Sequence, residues 1–539
     1  VKLTPNTKGI FAALLGGGAL AAIVLKLLAT GGTNIYVSQS GAGAQTGVDA
    51  ADAYPLSWLT TSGNWGSSAG QVGPGVTVHL VGAITADGFA ILGSGMPSNV
   101  ITILFEPGAY MSSPAQATTG YGIFINSKSN IVVDGGGTNN GAIFCTANGY
   151  GKTYTNNVGG VYVINGDHIT VQNLAITNLY TTVSGIHDPG GGGSGVVFQG
   201  AFTNCAALNC LFHDEWGGCQ FNGSGPLSLN CIMSNCVAYN VNWGGSAAVA
   251  ASGEVINGVL VTGNHFYDWS CWDDLDDANH HNGFYCYGNS SGGWVTNVVE
   301  TGNLVGPGYG NNQTSGFFFQ YQVFAVQIQN NVFDGRDNTG PKDGFITLQQ
   351  LDYASSIQIT NTVVNNTFDT FGNVSDGILF GANNPGPSVI LTSRNNLFIS
   401  NYLAIYLNYY TGTVNIGTFD YDLIYGCGST PVGWSTTSSG GAVSLATWQA
   451  SGLETHAVTG NPVLNAVFVP QTGSAAIGAG VIVDGNVTGF NALPLFNSIG
   501  ANGPIGTNTG GVTILGNASG VMLVGAGPGT NGISLIGTP

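Results

Sequence analysis

Asn204-Cys205-Ala206-Ala207-Leu208-Asn209-Cys210 returns 26 residues later as Asn230-Cys231-Ile232-Met233-Ser234-Asn235-Cys236. The echo runs on, because Trp216-Gly217-Gly218 is answered by Trp243-Gly244-Gly245, and a third indole follows at Trp269. A period of that length, rich in Asn, Gly and β-branched residues, suits stacked coils, each burying a face that it cannot bury alone. The chain is therefore expected to be a solenoid that stacks like residues on like. On this reading Cys205 lies above Cys231 and Cys210 above Cys236, while Trp216, Trp243 and Trp269 form one aromatic series.

The composition agrees. Only 6% of residues are charged, 43% are hydrophobic and 88 are Gly. A disordered chain would hold fewer apolar residues, and a coiled coil far more Glu and Lys. Short runs such as Ile101–Phe105 and Ile131–Asp134 read as strands buried on the inner face of a parallel stack. Asn recurs at 173, 209, 235, 264, 303, 331, 366 and 396, at spacings of 26 to 39 residues. Each is expected to take the left-handed turn conformation and to hydrogen-bond along a column of its own kind. The unequal spacings imply loops of variable length on a constant frame, which is where sites are usually built.

The net charge is −18, with 8 Lys and Arg against 26 Asp and Glu. A nucleic-acid partner is excluded for want of a cationic surface, and a polyuronate would be repelled unless a bound divalent cation inverted the local sign. Nine cysteines leave at least one unpaired. A ladder of small buried side chains is the simpler reading, with disulfides between coils the alternative and no Cys-x-x-Cys pattern for zinc. Residues 1–33 carry Lys2 and Lys8, then an apolar run from Ile10 to Val24, then Lys26-Leu27-Leu28-Ala29. That is the plan of a secretory signal peptide or of an uncleaved membrane anchor, with a buried capping helix as a third reading. The first two place the protein outside the cell or on its surface, touching membrane only if the segment is uncleaved.

The phrases Asn331-Val332-Phe333-Asp334 with Asp343-Gly344-Phe345, and Asn366-Thr367-Phe368-Asp369 with Asp376-Gly377-Ile378, resemble the repeat of right-handed parallel β-helix proteins of the pectate-lyase-like superfamily. The opening Ile35-Tyr36-Val37-Ser38-Gln39-Ser40-Gly41 and the close from Phe468 to Ala501 are similar to their ends. The resemblance implies an all-β fold, a single-stranded right-handed parallel β-helix over residues 34–502. Roughly 10–13 coils fit at this period. Residues 503–539 would form a Gly-rich cap or tail. Because the superfamily holds lyases, glycosidases, epimerases, tailspikes and adhesins, the fold does not name an activity. The lyase element Arg-x-Pro-x-x-Arg is absent, since only Arg336 and Arg394 exist, and so are the Asn-Thr-Asp and Gly-His-Gly elements of polygalacturonases. Relatives include trimers, so a monomer and a homotrimer both stay open.

Residues 213–377 hold 15 of the 26 acids, most of them in loops that a solenoid would gather on one side. The longest loop joins Asp273, Asp274, Asp276 and Asp277 to His280 and His281 and to Trp269 and Trp272. Its neighbours bring Asp214 and Glu215 on one side, and Arg336 and Lys342 on the other. Glycoside hydrolysis needs one protonated and one ionised carboxyl, and crowded carboxylates supply the raised pKa. The leading expectation is thus an exported glycan-binding enzyme that hydrolyses a neutral polysaccharide. One of Asp273, Asp274, Asp276 or Asp277 would work with Asp214 or Glu215, assisted by His280 or His281. Trp216, Trp243, Trp269 and Trp272 would stack on sugar rings, and Arg336 and Lys342 would contact substrate, unless they only pair with Asp337 or Asp343. No cofactor is required. Ca²⁺ held by Asp273, Asp274, Asp276 and Asp277 is the alternative, either as a clip or in a Ca²⁺-dependent lyase or epimerase. A non-catalytic adhesin or tail-fibre protein is the alternative from another class.

Overall fold

The computed structural model describes residues 33–481, apart from 138–139, 182–192, 270–279, 310–313, 337–343, 351–358, 373–374, 383–388, 410–414 and 436–439. The N-terminal apolar segment and the Gly-rich tail thus lie outside the described residues. Within them the chain winds into the right-handed parallel β-helix expected from the sequence. Three strands per coil build three faces. The first is a sheet of 14 strands, from Asn34–Ser38 to Asn415–Asp420. One of these, the two-residue Tyr54–Pro55, only flanks the first strand, so the stack counts thirteen coils. The second and third faces merge into one 23-stranded sheet, because Leu211–Gly223 and Val237–Val249 run through both without a break.

Alternation decides which side chains enter the interior. In Ile101–Phe105 and Gly141–Cys145 every second residue is buried, and in-register pairing then stacks inward residues into columns. Phe333, Phe368 and Phe398 stack with ring centroids 4.8 and 5.0 Å apart. Cys205 pairs with Cys231, and the Leu211–Val237 pairing sets Cys210 against Cys236. All eight described cysteines are free and buried, which makes them the ladder of small side chains. Burial pushes the Cys219, Cys231 and Cys286 thiols well up, so they are inert in this setting.

Two backbone columns explain the Asn and Gly content. On Gly122, Gly160, Gly195, Gly218, Gly244, Gly283 and Gly316 a Cβ would meet the backbone oxygen of the equivalent residue one coil on at 2.4–2.8 Å. No side chain fits there, and the Gly218–Gly244 echo belongs to this column. The second column is made of amides and departs from the expectation. Asn173, Asn209 and Asn235 are left-handed, with φ of 53–55°. At the other five positions the left-handed residue is the preceding one, Gly263, Gly302, Asn330, Asn365 or Asn395, and the following Asn is turned inward and buried.

These five form a polarised chain. Asn264 donates its backbone N–H and Nδ2–H to Oδ1 of Asn303, at 2.9 and 3.0 Å. Asn303 does the same to Asn331, Asn331 to Asn366, and Asn366 to Asn396. Each Nδ2 also donates to a backbone carbonyl of an adjacent coil, such as Glu300 O for Asn331. Asn396 then donates to the Asp422 carboxylate, and the Asp422 N–H donates to Glu454 Oε2. Buried turn amides that no strand can pair are thereby satisfied.

At the C-terminal end a strand pair turns antiparallel, Val432–Ser435 with Gly440–Val443, and the helix Leu445–Ala450 sets Trp448 over Phe419. The closing stretch around Phe468 does not lie across the end. It runs back along the second face as a strap, with Phe468 against Val332 and Ala476 against Leu397, Ile399 and Leu423. Asn395 and Val481 fix it by reciprocal bonds of 2.8 and 2.9 Å.

Asn331→Ala should strip the acceptor from Asn303 and the Nδ2 donor from Asn366 Oδ1 and Glu300 O at once, while the backbone N–H of residue 331 still donates to Asn366. Each orphaned buried group costs about 1–3 kcal/mol, so urea unfolding should show a loss on the order of 3 kcal/mol. A variant as stable as the parent would show that the column carries no weight.

Candidate functional site

Of the fifteen clustered acids, eight are among the described residues, and they do not share one role. At the corner between the second and third faces, Asp214 lies within Leu211–Gly223, Asp268 follows His265–Tyr267, Asp334 and Asp369 end Val332–Asp334 and Thr367–Asp369, and Asp376 opens Asp376–Ala382. Glu254 lies near the first face, just before Val255–Thr262. Glu215 and Glu300 point into the interior and are fully buried. The expected single acidic face is therefore correct for the corner acids and wrong for these three.

Of Asp214 and Glu215, the two expected partners for a loop aspartate, only Asp214 faces outward, and Glu215 is fully buried. Asp214 sits in a left-handed turn (φ 56°) facing out, with its carboxylate 2.6 Å from His213 Nδ1 and bonded to Asn240 Nδ2 in the next coil. The His213 hydrogen bond holds its pKa below the usual carboxylate range. Its chain neighbour Glu215 faces the opposite side of the wall, beside Phe212 and Gly195. Burial there pushes its pKa far up, and neither carboxyl oxygen has a hydrogen-bond partner. Strand alternation is the cause: consecutive residues leave opposite faces.

Arg336 also has a structural post. Its Nε lies 2.9 Å from both oxygens of fully buried Asp334, and Nη2 makes a further contact. The guanidinium rests 5.7 and 5.5 Å from the Phe371 and Phe468 rings, where the strap crosses. One coil on, Asp369 pairs in register with Asp334. Burial raises the Asp369 pKa to about 6, helped by the Asp334 charge. Asp334 is thus a partner of Arg336 that the sequence reading did not choose, while the expected Asp337 and Asp343 lie outside the described residues. Asp273, Asp274, Asp276, Asp277, Trp272 and Lys342, and with them the Ca²⁺ alternative, lie outside the described residues. Among the described residues no group of three or more His, Cys, Asp or Glu could hold a metal ion.

The indoles part company as well. Trp269 is fully buried, edge-on to Tyr309 at 4.3 Å, so it offers no ring to a substrate. Trp216 and Trp243 come together, with centroids 6.0 Å apart and planes at 68°. They are not stacked in register, because Trp243 pairs with Gly217. The coil period is 26 and the two indoles are 27 apart, and the side-chain-free Gly217 leaves room for the offset ring. Trp243 Nε1 donates to the backbone oxygen of His280. This fastens the far end of the acidic loop beside the indoles. His280 Nδ1 is 3.2 Å from Thr314 Oγ1 and its ring meets Phe318 edge-on, whereas His281 is buried.

Trp216 and Trp243 form one end of a groove of about 550 Å³ on the third face. Tyr121 and Tyr162 line its other end, and Asn157, Ser194, Gln220 and Asn222 supply polar groups between them. Among the described residues no charged side chain lines it. The groove crosses five coils, from Tyr121–Asn126 to Val237–Val249, which is roughly 19 Å at 4.8 Å per coil. Sequence reasoning missed Tyr121, Tyr162, Gln220 and Asn222. The glycine column carries the signal for Tyr162 and Gln220, each the second residue after a column glycine and alternating with a buried neighbour, as in Gly160-Val161-Tyr162 and Gly218-Cys219-Gln220.

No family profile and no curated protein matches the chain. Among solved structures it is similar to the lacto-N-biosidase from Eubacterium ramulus of glycoside hydrolase family GH136, with 12% identity over 75% of this chain and 66% of that one (TM-score 0.46). The chain thus spans about two thirds of that enzyme's length. It is also similar to pectate lyase Pel9A, with 16% identity over 87% of this chain and 95% of the other (TM-score 0.46). The exopolygalacturonase of Thermotoga maritima is similar at 9% identity over 69% and 86% (TM-score 0.29).

Arg336→Met should leave the buried Asp334 carboxylate without its bidentate partner. Nearly half the side chain faces solvent, so the expected loss is on the order of 2 kcal/mol in urea unfolding. Loss of glycan binding at unchanged stability would make Arg336 a substrate contact instead.

Proposed function

We propose that this is an exported, polysaccharide-active β-helix protein that holds an uncharged glycan in the third-face groove and cleaves it hydrolytically. The observation that carries this reading is the lining itself: four aromatic rings with amide and hydroxyl groups between them, free of charged side chains among the described residues. Aromatic faces pack on the apolar faces of sugar rings, and Asn and Gln side chains offer both donors and acceptors to hydroxyls. A polyuronate would meet no cation there. The charge of the whole chain, −18, opposes it further.

The acid and base fall to the loop between Trp269 and His280, which carries Asp273, Asp274, Asp276 and Asp277. Its support is the Trp243–His280 bond, which brings one flank of that loop to the groove. Four neighbouring carboxyls would split into protonated and ionised forms by mutual repulsion, and their separation would decide between inversion and retention. Export is supported by the pattern of residues 2–29, a basic start followed by an apolar run.

Trp243→Ala should weaken binding of a neutral oligosaccharide by about tenfold or more in calorimetric titration. Changing Asp273, Asp274, Asp276 and Asp277 together to Asn should abolish reducing-end release while leaving that binding intact. Release of unsaturated products that a chelator stops would replace hydrolysis with a Ca²⁺-dependent lyase. Binding without any turnover would favour the adhesin reading.

A further inference from the structure

Three glutamates are folded into the interior of this solenoid, and the glycan chemistry uses none of them. Glu215, Glu300 and Glu454 are each fully buried. Both oxygens of Glu215 and of Glu300, and Oε1 of Glu454, have no hydrogen-bond partner. Glu300 lies in the inward column between Val261 and Ile328, with the Cys286 thiol as its titratable neighbour. Glu215 faces Cys210 and the Gly195 amide, and Asp214 is its nearest charge. Glu454 meets the buried Asp422 that ends the amide column, with Asp420 behind it. Among the described residues no cation faces any of the three. An ionised carboxylate in such surroundings would cost several kcal/mol, so each is held as a neutral acid, and Glu454 shares one proton with Asp422.

We propose that the solenoid is stabilised by acid: its interior acids enter the fold carrying protons that the unfolded chain releases, so the protein gains stability as its surroundings are acidified through the carboxylate range. The sign follows from linkage. Burial raises Glu215, Glu300 and Glu454 well above 4.5, and raises Asp369 and Asp422 as well. Above the ordinary carboxylate value the unfolded chain ionises while the folded chain does not, so stability falls with rising pH until each folded pKa is passed. Each such acid shifts the unfolding constant by about tenfold per pH unit within its window.

The opposing groups are few. Burial lowers His265 below 6.5, which costs stability as pH falls through that value. Asp214 and Asp420 are lowered below 3.8, and their contribution is lost only under stronger acid. Acid unfolding ordinarily comes from breaking ion pairs and from cationic self-repulsion. This chain has eight Lys and Arg and eight His among 539 residues, so it has little of either to suffer.

The test is thermal and calorimetric unfolding of the full chain from pH 4.5, the ordinary glutamate value, to pH 7. The melting temperature should fall steadily across that range, and unfolding should release protons into buffers of differing ionisation enthalpy. Glu300→Gln and Glu215→Gln should each flatten the slope by about one proton, that is by tenfold per pH unit, and should gain on the parent most at the neutral end. A melting temperature that rises with pH, or proton uptake on unfolding, would overturn the proposal. The parent's proton balance decides the matter even if the variants fail to fold.

Discussion

Parallel coils stacked in register must satisfy every turn amide that no strand can reach, and the inward asparagines from Asn264 to Asn396 meet that demand. From Asn303 to Asn396 each amide side chain accepts two bonds from the preceding coil, returns one to a carbonyl of that coil and donates one to the next, so neighbouring turns are held at one spacing. The strand registers, the aromatic stacks and the glycine column all depend on that spacing. Upstream the same interior turn position is filled by Cys210 and Cys236, whose Sγ atoms reach the carbonyls of Val171 and Ala207 in the preceding coil. The thiol ladder and the amide ladder are thus two versions of one device. The amide version is polarised and needs a strong acceptor at its end, which Asp422 provides.

The scarcity of charge has a common origin with this architecture. A solenoid interior is long and narrow, and carboxyls that enter it are forced to keep their protons. The corner acids are spent mostly on local bonds: outward-facing Asp214 on His213 and Asn240, and buried Asp334 on Arg336. What is left for a ligand is a wall of rings and amides. The groove is neutral because strand alternation delivers Tyr162, Gln220 and Asn222 to its surface from positions next to buried apolar residues.

Much of the fold was legible in the sequence, because a repeat copies its own structural solution. The cysteine stacking, the parallel coils and their number followed from period and composition. The site was less legible, for definite reasons. Asp214 and Glu215 are neighbours in the chain and opposites in space, and a reading by loops could not see that one strand carries both. Trp216 and Trp243 looked like register partners, but a single extra residue between them shifts the second indole onto Gly217. Trp269 shares their spacing but is fully buried and bridged to Tyr309, away from the groove that Trp216 and Trp243 line. Tyr162 carried no signal until the glycine column gave each coil a common origin, and Tyr121, just before Gly122, is outside even that rule.

The polarity of the amide column has a consequence for how such a molecule can change in length. Every member between Asn264 and Asn396 is interchangeable, for each accepts on one side what it donates on the other. Whole coils can be duplicated or excised within that span, and the cut ends find the partners they had before. The ends themselves are not interchangeable: Cys236 begins the series by donating only its N–H to Asn264, and Asp422 ends it as pure acceptor toward Asn396. The span between Asn264 and Asn396 can therefore change in length downstream of the indole groove, while the near-copy of Asn204–Cys210 at Asn230–Cys236 shows that the thiol-lined coils repeat as well.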